Sequence, residues 1–134
     1  MVKVAVVYWS GTGNTEAMAD LVAEGAKSKG AEVDMFTSSE FDKSKLAGYD
    51  ALAFGCPSMG AEVLEETEFQ PMWDDVKSEL AGKKVVLFGS YGWGDGEWMR
   101  DWEKEVTTVD TFICNDAPSG DAEDSCRELG EKLV

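Results

Sequence analysis

Short, uninterrupted apolar runs recur along this chain, and the segments between them carry a different period. VKVAVVYW at residues 2–9 is β-branched and brief, as a strand buried on both faces of a sheet requires. ALAFG from Ala51, KVVLFG from Lys84 and TFIC from Thr111 have the same character, and AEVDMF from Ala31 is a weaker version suited to a sheet edge. Between the runs lie helical patterns. In residues 14–30, Ala17, Met18, Leu21, Val22 and Ala26 fall on one face, with Asn14 or Thr15 as the expected cap and Gly30 as the stop. Residues 67–80 place Pro71 in a first turn, where its missing N–H costs nothing. Residues 96–106 and 121–134 supply two more helices, with Trp98 and Trp102 as a buried helix face, and residues 39–50 read as a loop with one turn.

Strands alternating with helices at this spacing imply βαβ units, hence an α/β fold: a doubly wound parallel sheet with helices on both faces. The 134 residues carry no repeat, linker or low-complexity tract, so one domain over 1–134 is expected. Ligands of such sheets bind outside the carboxyl ends of the strands, which directs attention to three loops.

The first loop is SGTGNT, residues 10–15, ahead of a helix N-terminus. Ser10, Thr12, Asn14 and Thr15 add side-chain donors to backbone N–H groups freed by Gly11 and Gly13, so a phosphate is the natural occupant. No lysine follows, which excludes a Walker loop. Asp34 stands where a dinucleotide-binding acid is expected, but Glu16 occupies the third glycine position of that fingerprint and obstructs close helix–strand approach. A glycine turn holding only water is the plain alternative.

The second loop, residues 56–66, offers Ser58, the soft surface of Met59, a flexible Gly60, then Ala61 and the carboxylate of Glu62. Taken singly it is equally an acidic surface turn. The third, SYGWGDGEW from Ser90, sets Tyr91 and Trp93 among glycines, including Gly92. A tryptophan there is either a ligand platform or a protein-interface anchor. Together the loops describe a phosphate at one end and a flat ring between Met59 and an aromatic at the other, the requirements of flavin mononucleotide (FMN).

In these three motifs, and in their order along nearly the whole chain, the sequence resembles a flavodoxin of the short-chain type. The resemblance implies a five-stranded parallel sheet in the order 2-1-3-4-5, which is a general property of that family rather than a result of counting runs. It also implies non-covalently bound FMN and a low-potential one-electron carrier shuttling between semiquinone and hydroquinone. In that reading residues 10–15 and Ser90 bind phosphate, Met59 and Trp93 cover the two flavin faces, and Glu62 accepts from the ring N3–H. The Gly60 carbonyl turns toward N5, backbone around Gly92 lies near the pyrimidine edge, and Asn115 reaches the ribityl chain. Ala61 then sits at a turn position of positive φ, at roughly 1–2 kcal/mol.

Twelve basic against twenty-seven acidic residues give a net charge of -15, which opposes nucleic acid and anionic membranes. Redox proteins with basic docking patches are the expected partners, meeting acids such as Glu62, Glu65, Glu66 and Asp95, and the chain is expected to be a monomer. Three widely spaced cysteines with no CxxC pair and no histidine argue against zinc and a catalytic triad, and for a reducing, cytoplasmic setting. No secretory leader is visible ahead of the first strand, and no apolar run approaches the length that spans a bilayer. An electron carrier rather than an enzyme is therefore expected. The alternative is a flavin-dependent NAD(P)H or quinone reductase of the same fold, and more distant ones are a flavin-free binding module or a phosphoryl-accepting receiver.

Overall fold

The computed structural model describes residues 2–59 and 63–134. Among them, β1 (Lys3–Tyr8), β2 (Glu32–Thr37), β3 (Ala51–Gly55), β4 (Lys84–Tyr91) and β5 (Asp110–Asn115) form one five-stranded sheet in the order β2-β1-β3-β4-β5. Each neighbouring pair is parallel. The weaker apolar run at 31–36 is an edge strand, as its pattern predicts, and the central strands β1, β3 and β4 are the nearly continuous apolar ones.

Because side chains alternate along a strand, each central strand feeds two cores. Ala5, Val7, Leu52, Phe54 and Leu87 face α2 (Phe69–Val76) and α3 (Glu97–Glu103), whereas Val4, Val6, Ala53, Val86 and Phe88 face α1 (Asn14–Ser28) and α4 (Asp121–Glu131). Trp98 and Trp102 are buried on the first side, and Trp102 meets Trp73 edge-to-face at 5.6 Å between centroids. Residues 39–50 hold more order than a single turn. A 3-10 turn at Ser38–Glu40 is closed by a Thr37–Glu40 capping box, and a second at Lys43–Gly48 starts where Asp42 accepts from Ser44 N–H. These are local side-chain-to-backbone bonds that hydrophobic period does not register.

The helices α1 and α4 touch through glycine. A Cβ on Gly25 meets the Arg127 carbonyl oxygen at 1.9 Å, and one on Gly130 meets the Val22 carbonyl oxygen at 1.9 Å. Glycine inside a helix normally sacrifices about 1 kcal/mol relative to alanine, so close backbone approach is what justifies both. Gly130→Ala is therefore expected to destabilise despite its better propensity. The two helices must separate, at about 2 kcal/mol net, read as a lowered midpoint in urea with an unchanged slope.

Candidate functional site

Tyr8 ends β1, and the chain turns through the first loop into α1. Neither Asn14 nor Thr15 caps this helix. The N-cap is Gly13, held at φ 95°, a left-handed conformation that glycine adopts without strain, and no side chain caps the helix. Ser10 Oγ instead accepts from the Gly13 N–H at 3.0 Å, tightening the loop behind the helix start. Asn14 and Thr15 lie inside the first turn, and the first intrahelical bond is Ala17 N–H to the Gly13 carbonyl at 3.0 Å. The N–H groups of Asn14, Thr15 and Glu16 thus have no intrahelical acceptor. Thr15 is 1% exposed, and its Oγ1 has no hydrogen-bond partner among the described residues. A buried hydroxyl without a partner at a helix N-terminus is a donor waiting for an acceptor.

This loop borders a cleft of about 290 Å³ outside the carboxyl ends of β1, β3 and β4. Thr12 and Asn14 line it from the first loop, Ser58 and Met59 from the second, and Ser90, Tyr91 and Gly92 from the third. Three loops distant in sequence thus converge on one space, which is shared by polar donors and apolar surface. Gly11 also lines it, and Ser10 and Gly13 line a second cavity that Trp9 and Gly11 border as well. Gly60, Ala61 and Glu62 lie outside the described residues, so their expected roles are not located. Their flanks are paired, since Met59 and Val63 exchange backbone hydrogen bonds at 2.9 and 3.0 Å.

Trp93 is 64% exposed, in contrast to Trp98 and Trp102 a few residues on. Its loop is braced by Arg100, which donates to the Asp95 carbonyl and carboxylate, both at 2.9 Å. Ser90 is buried and donates to the Asp116 carbonyl at 2.7 Å, so its hydroxyl hydrogen is engaged within the protein. Asn115 does not line the cleft; its carboxamide donates to the Tyr91 carbonyl at 3.2 Å. The neighbouring Asp116 does line it and holds φ at 56°, an uncommon conformation for a residue with a side chain. Trp9 also lines the cleft, and its Nε1 donates to Glu68 at 3.2 Å. Sequence reasoning missed both residues. Trp9 was absorbed into the strand run, and the turn at 116 carries no glycine to mark it.

Glu65 corrects the sequence reading. It is not a surface acid available for docking but is 6% exposed. Its carboxylate accepts from the N–H groups of Thr67 (2.9 Å), Glu68 (2.7 Å) and Phe69 (2.9 Å), and from the Thr67 hydroxyl. Its carbonyl accepts from Gln70 N–H at 2.8 Å. Since Pro71 has no N–H, one residue satisfies the start of α2. Burial pushes this carboxyl up, but the hydrogen bonds outweigh it and hold the group at about 2. The Glu65 N–H donates to Cys56 Sγ at 3.4 Å, and burial pushes that thiol up to about 12, so it stays protonated.

Comparison with known proteins decides the class. The family model described as flavodoxin matches residues 6–130. The flavodoxin of Clostridium beijerinckii is 45% identical, covering 96% of this chain and 97% of its own. The flavodoxin of Megasphaera elsdenii is 44% identical over 96% of each chain. The chain belongs to the flavodoxin family. Its backbone agrees, with a TM-score of 0.89 to the solution structure of the two-electron reduced M. elsdenii protein, at 44% identity over 97% of each chain.

Membership makes the chain an FMN-binding electron carrier that works with redox partners, not a self-contained enzyme. The residues present fit that cofactor. The partnerless Thr15 hydroxyl and the start of α1 suit a phosphate, and half-buried Met59 in the cleft suits a flat ring, while Trp93 is exposed next to Gly92 and does not itself line the cleft. Among the described residues no acidic, cysteine or histidine cluster could hold a metal ion, and no helix is long and apolar enough to cross a membrane.

Proposed function

We propose that this chain is a single flavodoxin-like domain over 1–134 that carries electrons at low potential as a monomer in the cytoplasm. The observation that carries the reading is the convergence of three loops on one cleft beside a helix N-terminus with an unsatisfied buried hydroxyl. FMN, when bound, supplies the one-electron chemistry.

The protein's residues supply binding and tuning. Residues 10–15 hold the phosphate with neutral donors and the positive end of α1, since the loop contains no lysine or arginine. Ser58 adds a donor from the second loop, where Pro57 has none. Met59 and Trp93 cover the ring, Tyr91 and Gly92 border it, and Gly60, Ala61 and Glu62 address its edge. Ser90 and Asn115 act through the backbone turn at Asp116 that they support. Apolar cover and a net charge of -15 both oppose added negative charge at the cleft, which keeps the second one-electron potential low.

Exposed acids, among them Glu66 and the Arg100-paired Asp95 two residues from Trp93, meet partners with basic patches. The same charge opposes self-association, which supports a monomer. Three free cysteines, all buried, suit a reducing compartment.

The purified protein is expected to release FMN on acid treatment. In an anaerobic reductive titration it should show two separated one-electron potentials, the second the lower. Electron transfer to a basic partner should slow steeply as salt rises. A protein that takes up no FMN, or whose partner rates ignore ionic strength, would overturn the respective parts of this reading.

A further inference from the structure

Glu16 is the third residue of α1, the position from which a glutamate side chain commonly reaches back to the N-cap backbone N–H. In this chain that arrangement would bring a carboxylate to the donors at the start of α1. It does not form. The Gly13 N–H is taken by Ser10 Oγ at 3.0 Å, and Glu16 Oε2 accepts from the Tyr8 hydroxyl at 3.1 Å. Tyr8 and Glu16 line the second cavity with Ser10 and Gly13, while Thr12 and Asn14 line the cleft, and Trp9 and Gly11 border both. The Glu16 carboxylate is thus bonded in the second cavity and does not line the cleft that Thr12 and Asn14 border.

We infer that Tyr8 is a positioning residue that holds the Glu16 carboxylate in the second cavity, leaving the N–H groups at the start of α1 to a phosphate. The inference rests on the reading of residues 10–15 as the phosphate site. Tyr8 is fitted to the task because it ends β1 and is half-buried. Burial, then the bond to Glu16, then the negative charges of Glu16, Asp20 and Glu40 push its phenol up, so it remains a donor across the physiological range. A freed Glu16 would compete with phosphate for the same donors and repel it. The arrangement therefore contributes to preference for a phosphorylated flavin over one without phosphate.

The test is fluorescence titration of the apoprotein with FMN and, separately, with riboflavin, which lacks the phosphate. Wild type, Tyr8→Phe, Glu16→Gln and the double variant are compared. Tyr8→Phe is expected to weaken FMN binding about five- to tenfold, with riboflavin binding changed less than about twofold. Adding Glu16→Gln should restore FMN affinity, because the amide carries no charge. The inference is overturned if Tyr8→Phe binds FMN like wild type, if both flavins weaken together, or if Glu16→Gln fails to rescue. A wild-type protein that holds FMN no more tightly than riboflavin would overturn the phosphate-loop reading itself.

Discussion

Replacing Glu65 by glutamine is expected to lower the stability of the apoprotein by roughly 3 kcal/mol at neutral pH. The carboxyl is held at about 2 against an ordinary 4.5, and at about 1.4 kcal/mol per pH unit that difference corresponds to roughly 3 kcal/mol. Its two oxygens divide the donors: Oε1 takes Glu68 and Phe69 N–H, and Oε2 takes the Thr67 N–H and hydroxyl. Glutamine can present an oxygen to one pair only, and its NH2 then faces at least one backbone N–H as donor against donor. The start of α2 loses its partners, and with it the far end of the loop that carries Met59.

The pH dependence gives this prediction a sign. Because the folded pKa is depressed, the contribution is complete above about pH 4.5 and is lost as pH falls toward 2. Urea unfolding of the two proteins should therefore show a constant gap above about pH 5 that closes on acidification. Comparing two proteins of one sequence background cancels the general relief of acidic repulsion in a chain of charge -15. A gap that stays fixed down to pH 2.5 would mean that glutamine acts through packing rather than through loss of the charge.

Glu65 also marks where the sequence stops being legible. An acid between Leu64 and Glu66 in a strongly acidic chain reads as solvated surface, and only the approach of three backbone N–H groups makes it interior. The strands were readable for the opposite reason. Burial on both faces demands uninterrupted apolar residues, so β1, β3 and β4 announce themselves without reference to their neighbours. The helix cap lies between these cases. Asn14 and Thr15 are good capping types, but Gly13 reaches the left-handed conformation the turn requires, which moves the boundary back by one residue and turns Thr15 inward. That shift gave Thr15 its buried hydroxyl. The front loops of the cleft were legible as chemistry, because glycines with hydroxyls and glycines with aromatics are unusual pairings. Trp9 and Asp116 were not, since their places depend on how separate loops meet.

Trp93→Ala is expected to leave the apoprotein's stability within about 0.5 kcal/mol of wild type while weakening FMN binding by about tenfold to a hundredfold. The first half follows from position. A ring that is 64% exposed gives the folded protein little packing to lose. The second follows from stacking, since removing an aromatic from under a flat heterocycle costs about 1–3 kcal/mol, and 1.4 kcal/mol is tenfold in affinity. The loop itself should persist, because the Arg100 bonds to Asp95 hold it independently of the indole. Trp93→Phe should recover part of the affinity, and the second one-electron potential should rise in the alanine variant as water gains access to the ring. A melting temperature that falls together with the affinity would instead mean that Trp93 packs against the protein, and Met59 would then cover the ring alone.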